Sequence, residues 1–459
     1  MTPGPVDHAG RVAALDALRG VALLGLLLAS VRQMFLPWNV ARFAVPPDRL
    51  SGWLDWGLFD AIVDLKFITI FSLLFGAGFA LQSARLEAVD PRWPGLYLRR
   101  LALLAGCGLL VGLLIYPAEI LLPYAAAGVL LFAVRRWSAQ ALFRTGLVLV
   151  ATTVVWGYQL GTLGRVSPGV TLASAAAFAA VAYLTAGRDW RIVLSLVVAL
   201  LCAAVVVLTV HDDPRPLGAS LATEFDLAVQ ALESMRHGDP ASWPREFEVR
   251  QNGSMRDLLA LNREQHAGML AWFGAMMLWR VLGLFMIGAA IARSGALTEA
   301  HPAFWRRVSV IALSIGLPLS VLATLLQSRE MQGQGDWRWP EWAHVASAFP
   351  LALGFAARVM LAEQLGRRRW WYRRMESAGR MALTIYVVQS LFMALLAERW
   401  GFGLYGRLDG PQLTAIAFAT FSILAIASHA WLARYRLGPL EWLWRCGTYL
   451  RWLPLRRAD

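Results

Sequence analysis

The chain has 459 residues, of which 58% are hydrophobic and 16% are charged, and its formal net charge at pH 7 is +13. A soluble domain carries about 25% charged residues, so the composition excludes the disordered, collagenous and small secreted classes and leaves a multi-pass helical membrane protein. The excess of basic residues is not concentrated in a soluble basic module. We therefore attribute it to membrane topology and expect no nucleic-acid partner.

Hydropathy predicts twelve membrane-spanning helices, since about 20 apolar residues cross the hydrocarbon core. Their approximate ranges are 18–36, 58–82, 97–115, 119–134, 141–163, 168–186, 190–210, 268–292, 306–327, 343–362, 380–397 and 412–433. The predicted fold class is therefore all-α, a polytopic integral membrane protein with about 10–12 transmembrane helices. The third and fourth spans are joined so tightly that we predict a helical hairpin.

Arginine is distributed unequally between the two sides that these spans define. With the amino terminus in the cytoplasm, eighteen arginines fall in short cytoplasmic loops and seven in short outer loops. Because positive residues accumulate on the cytoplasmic side, we predict a bacterial inner (plasma) membrane protein with both termini in the cytoplasm and the lipid bilayer as its first partner.

One long connection divides the chain. The predicted parts are an N-terminal transmembrane bundle at 1–210, an outward-facing amphipathic loop at 211–266 and a C-terminal bundle at 267–459. Apolar residues recur at helical spacing between 221 and 235, and a second helix is expected to begin near Ser254. We interpret the loop as a linker helix on the surface, with a lid over an outward cavity as the alternative.

Ionisable side chains at the start of the first span form the first candidate site. Asp16 and Arg19 are three residues apart and share one helix face at the cytoplasmic mouth. They suit either a structural pair that orients the helix or a site for an anionic group.

The second span carries the second candidate site. Asp60 and Asp64 lie one turn apart on one face, and Lys66, the only lysine among 43 basic residues, follows them. Two carboxylates in a membrane need a partner charge, a water-filled cavity or a bound proton. The cluster therefore suits acid–base chemistry, or a salt bridge that locks helices together. Arg32 and Glu119, near the ends of neighbouring spans, could pair with these carboxylates.

The remaining reactive residues give weaker signals. The three cysteines form no CxxC pair and have no histidines at ligand spacing, so we expect no zinc site and no bound metal. His344 and His429 lie at or within predicted spans, where a lone histidine is expected to be a packing residue. Gly76 and Gly78 are interpreted as close helix packing.

Four blocks of sequence resemble the YeiB-type family of bacterial multi-pass membrane proteins, a domain of unknown function. The blocks are Leu15-Asp16-Ala-Leu-Arg19-Gly20 with the residues to Gly25; Lys66-Phe67 with Phe71-Ser72-Leu-Leu-Phe75-Gly76-Ala-Gly78 and Tyr97-Leu-Arg99-Arg100; Asn252-Gly253-Ser254 with Arg263 and Leu282 to Gly288; and Gly379-Arg380-Met381-Ala-Leu-Thr384-Ile-Tyr386 with Gln389-Ser390, Gly401 to Leu404 and Gly438-Pro439-Leu440-Glu441-Trp442.

The opening block and the multi-pass plan also resemble transmembrane acyltransferases, among them heparan-α-glucosaminide acetyltransferase-like proteins and sugar O-acyltransferases. This resemblance implies transfer of an acyl group from cytoplasmic acyl-CoA, as a co-substrate, to a periplasmic or lipid-linked acceptor, with no tightly bound cofactor. Those enzymes place a histidine near the outer ends of early spans. None lies between Leu36 and Leu58 here, and Ala118-Glu119 stands where they often have histidine, so their general base is missing or replaced.

Three functions stay open from the sequence: an acyltransferase, a transporter of a small solute or lipid, and a non-catalytic scaffold. In the first, Asp60, Asp64 and Lys66 are the candidate catalytic residues. The candidate substrate-binding residues are Asp16, Arg19, Arg32 and Glu119, with Arg19 facing the phosphates of the donor.

Overall fold

The computed structural model describes residues 13–37, 40–41, 50–90, 92–163, 244–299, 302–331, 338–367 and 369–457. Regular structure in these parts is helical throughout, without a strand among them, which confirms the all-α fold class. The predicted spans at 168–186 and 190–210 and the amphipathic segment at 221–235 lie outside the described residues.

The described N-terminal part contains six helices. They are α1 Ala13–Phe35, α2 Leu50–Leu58, α3 Lys66–Val89, α4 Trp93–Leu114, α5 Leu121–Ala133 and α6 Ala139–Leu163. A π-helical turn, Phe59–Val63, follows α2. The connection between α4 and α5 is short and the two helices pack together, as the predicted hairpin requires.

The described C-terminal part begins after Pro244. Its helices are α7 Arg245–Asn252, α8 Met255–Trp272, α9 Leu278–Arg293, α10 Ala296–Glu299, α11 Pro302–Met331, α12 Arg338–Gln364, α13 Trp370–Arg380, α14 Ala382–Ala397, α15 Gly410–Arg434 and α16 Pro439–Tyr449. Ser254 caps α8 through a reciprocal bond with Asp257, so this helix begins where the sequence predicted.

Several described helices are long and apolar enough to cross a membrane. They are α1, α4, α11, most of α12, and α15, and the pair α13 and α14 qualifies as one span bent by 89°. The surface of α11 exposes apolar side chains along its length, including Val310, Ile311, Ile315 and Leu325. Surface of this kind matches hydrocarbon rather than water, and the protein is a polytopic membrane protein.

Glycines let the central helices approach closely. A β-carbon added at Gly76 of α3 would collide with the carbonyl oxygen of Phe285 in α9, and one at Gly288 of α9 would collide with that of Leu73. The two helices therefore touch backbone to backbone, as small residues permit in membranes. The interpretation of Gly76 as a packing glycine is confirmed.

Helix α1 organises the bundle because it contacts α3, α12, α13, α14 and α15. Two of its charged residues, Asp16 near its start and Arg32 near its end, are separated by about 24 Å at 1.5 Å per residue. We call the two sides of the molecule the Asp16 end and the Arg32 end.

Candidate functional site

The predicted second span, 58–82, is not one continuous helix. It is interrupted by the π-helical turn Phe59–Val63 and by Leu65, which adopts a left-handed conformation with φ 59° before α3 begins at Lys66. A non-glycine residue holds this conformation only where its surroundings fix it, which is common at functional sites. The break places Asp60 and Lys66 on opposite sides of an irregular corner.

Neighbouring helices satisfy the backbone at this corner. The amide of Asp64 donates to the carbonyl oxygen of Phe59 over 3.1 Å, and the hydroxyl of Ser320 in α11 donates to the carbonyl oxygen of Ala61 over 2.6 Å. Irregular backbone survives at membrane depth only with such internal partners. The corner is thus built jointly by the second span and α11.

A buried polar cluster fills the corner. Lys66 is fully buried, and its Nζ donates to the carbonyl oxygen of Asp60 over 2.9 Å and lies 3.4 Å from His344 Nδ1. Thr324 Oγ1 donates to Asp60 Oδ2 over 2.7 Å. We name Asp60, Lys66 and His344 the buried triad.

The third contact of the triad joins the imidazole to the carboxylate. His344 Nε2 lies 2.8 Å from Asp60 Oδ2, which makes the two groups an ion pair when the imidazole is protonated. A histidine held between a carboxylate and an ammonium group is suited to accepting and releasing a proton.

Asp64 completes the group of acidic residues at the corner. The ligand atoms of Asp60, Asp64 and His344 all lie within 4.8 Å of one another, the one arrangement in the described chain that could hold a metal ion. The ammonium group of Lys66 contacts two members of this set and would repel a cation. This repulsion disfavours a bound cation at the cluster.

Arg32 pairs with a different carboxylate from the ones expected. Its NH2 contacts Asp55 Oδ2 over 2.5 Å, Thr414 Oγ1 donates to Asp55 Oδ1 over 2.7 Å, and the guanidinium stacks 4.0 Å from the ring of Phe59. The prediction of a pair with Asp60 or Asp64 is corrected, because the helical register brings Asp55 of α2 opposite Arg32. Arg32 thus holds α2 against α1.

Glu119 caps a helix. Its carboxylate accepts from the backbone amides of Leu121 over 2.5 Å and Leu122 over 3.2 Å, which satisfies free donors at the start of α5. The connection that carries it is fixed further by Pro117, whose carbonyl oxygen lies 2.8 Å from His266 Nδ1.

Basic residues from three helices meet at the Asp16 end. Arg19 forms the predicted pair with Asp16 over 2.5 Å, and its side chain is 31% exposed. Arg100 of α4 lies within electrostatic range of Arg19 and of Arg445 in α16, and it stacks 4.2 Å from the ring of Trp444. This surface, Arg19, Arg100 and Arg445, is called the arginine cluster.

Two buried residues, His344 of the triad and Arg280 of α9, were not singled out in the sequence as functional. His344 had been interpreted as a packing residue, yet it contacts Asp60 and Lys66. Arg280 of α9 is 3% exposed and donates to Thr69 Oγ1 over 3.0 Å. An ionisable residue inside an apolar span marks a functional site by default, and that signal was available for both.

Comparisons with known proteins found one family match and several similar bacterial proteins. Residues 291–451 match the family described as "Protein of unknown function (DUF418)". The chain is 28% identical over 446 residues to the uncharacterized protein YeiB of Escherichia coli (strain K12), covering 94% of each chain. It is 26% identical over 464 residues to the uncharacterized protein YxaH of Bacillus subtilis (strain 168), covering 97% of this chain and 96% of the other. The chain is thus similar to YeiB and YxaH over nearly its whole length.

The family match contains one of the three residues of the buried triad. His344 and Thr324 lie inside the segment that matches DUF418, whereas Asp60 and Lys66 lie outside it. A shorter match, 32% identical over 127 residues, joins 28% of the chain to an uncharacterized 39.9 kDa protein in the amylase 3' region of Bacillus acidopullulyticus. No solved structure matches the chain.

Proposed function

We propose that the chain is a membrane acyltransferase that uses the buried triad as its general base. The observation that carries this proposal is the position of His344 Nε2, 2.8 Å from Asp60 Oδ2. A carboxylate beside an imidazole orients the ring and stabilises its protonated form, as in hydrolase triads. His344 would replace the histidine that the resemblance expects near the early spans.

Nδ1, the second nitrogen of the His344 ring, would take the proton of the acceptor. His344 Nδ1 faces Lys66 Nζ, so an acceptor hydroxyl or amine would bind beside Lys66, which exchanges a proton with the ring. The acceptor then loses its proton to Nδ1, forms a bond to the acyl carbon, and the carbon–sulfur bond of acyl-CoA breaks with the electrons leaving on sulfur.

The arginine cluster supports a donor site at the opposite end. Arg19, Arg100 and Arg445 bring like charges together, and Asp16 is the acidic partner seen for Arg19. Guanidinium groups bind phosphates through charge-assisted hydrogen bonds. The phosphates of acyl-CoA would occupy this cluster, and the acyl arm would reach toward the triad.

One observation favours a second function, a proton-coupled carrier. The second span breaks beside buried charges, and discontinuous helices commonly form the substrate and ion sites of secondary transporters. In that function the triad would bind and release the coupling proton.

Transfer of a radiolabelled acetyl group from acetyl-CoA by purified protein tests the proposal. We expect His344→Gln and Asp60→Asn to lower the rate at least about 100-fold, within the range of general base catalysis. His429→Gln is the matched control, because His429 contacts Ser377 near the Asp16 end and touches none of the triad; its rate should stay within about twofold.

A measurement of acetyl-CoA binding tests the donor site independently of the acyl-transfer step. Arg19→Gln should weaken binding about tenfold through loss of a charge-assisted contact, whereas Arg373→Gln, an exposed arginine of α13, should not. Protein that binds no acetyl-CoA and transfers no acetyl group, but takes up a solute with protons in vesicles, would support the carrier. Inactivity in every assay would leave the scaffold function.

A further inference from the structure

A cavity of about 310 Å³ opens at the Arg32 end and shares no residue with the buried triad. The end of α1, the connection between α4 and α5, the helices α7 and α8, and the end of α14 surround it. The described part of the predicted outer loop, 244–266, contributes Glu246, Arg250 and Gln265 to one wall. Its polar lining includes Gln33, Tyr116, Glu246, Arg250, Gln265 and Glu398.

Two carboxylates in this lining share one guanidinium group. Arg250 Nε contacts Glu246 Oε1 over 3.1 Å, its NH1 contacts Glu398 Oε1, and its NH2 donates to Gln265 over 2.8 Å. Arg250 is 6% exposed, so it is committed to these partners. With both carboxylates ionised, the lining carries one excess negative charge, which disfavours an anion.

Glu398 carries the second, independent observation. It is 4% exposed, and its Oε2 is buried without a hydrogen-bond partner among the described residues. A buried carboxylate oxygen without a donor is costly, and a cation in the adjoining cavity offsets that cost through its charge. The opposite side of the cavity is apolar and includes Met34, Met269 and Trp272.

We propose that this cavity binds an amphipathic primary amine, with the ammonium group held by the carboxylates of Glu246 and Glu398 in the lining and the apolar part lying against Met34, Met269 and Trp272. The ammonium charge cancels the excess negative charge. The ring of Trp272, which is 42% exposed, adds cation–π attraction at the rim. The proposal stands on the cavity alone and does not require acyl transfer.

A glycine in the lining allows the cavity to be filled without disturbing the fold. A β-carbon added at Gly268 of α8 meets nothing within 4 Å, and the same holds for Gly106 of α4, which does not line the cavity. Gly268→Leu therefore places a side chain in the cavity, and Gly106→Leu is the matched control for the same change in a helix.

The test uses full-length protein in phosphatidylcholine nanodiscs and radiolabelled n-octylamine, with binding to empty nanodiscs subtracted. We expect saturable binding that Gly268→Leu weakens at least tenfold and Gly106→Leu leaves within twofold. Glu398→Gln should weaken n-octylamine binding similarly. n-Octanol, which lacks the charge, should compete at least tenfold less well.

Three results would overturn the proposal: absence of saturable n-octylamine binding to the wild type, equal binding by the two glycine variants, or equal competition by n-octanol. Nanodiscs that contain phosphatidylethanolamine identify the source of the amine. Lower n-octylamine binding in them would support the site as one for a lipid headgroup, and unchanged binding would support it as one for a free amine.

Discussion

Lys66 is unusual both in the composition of the chain and in its position in the structure. It is the only lysine beside 42 arginines, counted from the 43 basic residues of the chain, and it is fully buried with its Nζ between the Asp60 carbonyl and the His344 imidazole. An ammonium group can lose its proton when desolvated, whereas a guanidinium group stays charged. Lysine therefore provides a titratable group beside His344, which arginine cannot provide.

Replacement of Lys66 by arginine tests this difference. We expect Lys66→Arg to fold and to lower acetyl transfer at least about tenfold, because proton exchange at this position is lost. Thermal unfolding in detergent establishes that the variant folds, and activity is compared at matched expression. Wild-type activity in Lys66→Arg would reduce Lys66 to a counter-ion of Asp60.

The pair of Asp16 and Arg19 is tested by a double-mutant cycle. The two groups lie 2.5 Å apart and Arg19 is partly exposed, so we expect a coupling free energy of about 0.2–1 kcal/mol, typical of accessible ion pairs. Asp16→Asn and Arg19→Gln should each lower the unfolding temperature, and the double variant should lose less than their sum. Strict additivity would show that the pair contributes nothing.

At the scale of single elements, hydropathy predicted where the helices lie better than it predicted whether each helix is continuous. The bounds of α1, α4 and α15 lie close to the predicted spans, but the second span breaks at Leu65. Apolar residues continue on both sides of the break, so the hydropathy pattern does not reveal it. The partners that stabilise the break, Ser320 and Thr324, come from a distant helix.

The contact of α3 with α9 yields a prediction at this scale. Gly76→Ala should destabilise the protein by about 1–3 kcal/mol, since the added methyl group meets the Phe285 carbonyl and the helices must separate. Gly106→Ala makes the same change where nothing lies within 4 Å. A lower unfolding temperature for Gly76→Ala alone is expected; equal values would show that the helices yield at no cost.

At the scale of the whole molecule, α1 separates two chemically different ends. The arginine cluster lies at the Asp16 end, and the Arg32–Asp55 pair and the cavity lie at the Arg32 end. The arginine distribution predicts that the Asp16 end faces the cytoplasm.

Cysteine labelling tests that orientation. In a variant without its native cysteines, Arg256→Cys in α8 and Arg373→Cys in α13 replace exposed residues of the two ends. An impermeant maleimide should label Arg256→Cys in intact cells and Arg373→Cys only after lysis. The reverse pattern would invert the topology and place the donor site outside.

The sequence by itself determined the helical membrane class, the α4–α5 hairpin, the start of α8 at Ser254 and the pair of Asp16 with Arg19. Each depends on composition or on residues within a few positions of one another, where helix geometry fixes the spacing. The tertiary structure alone decided that Lys66 meets His344, 278 residues away, that Arg250 meets Glu398, 148 residues away, and that Arg32 meets Asp55 instead of Asp60. Such contacts depend on how far each helix is rotated and shifted against its neighbours, and the pattern within one helix carries no information about either.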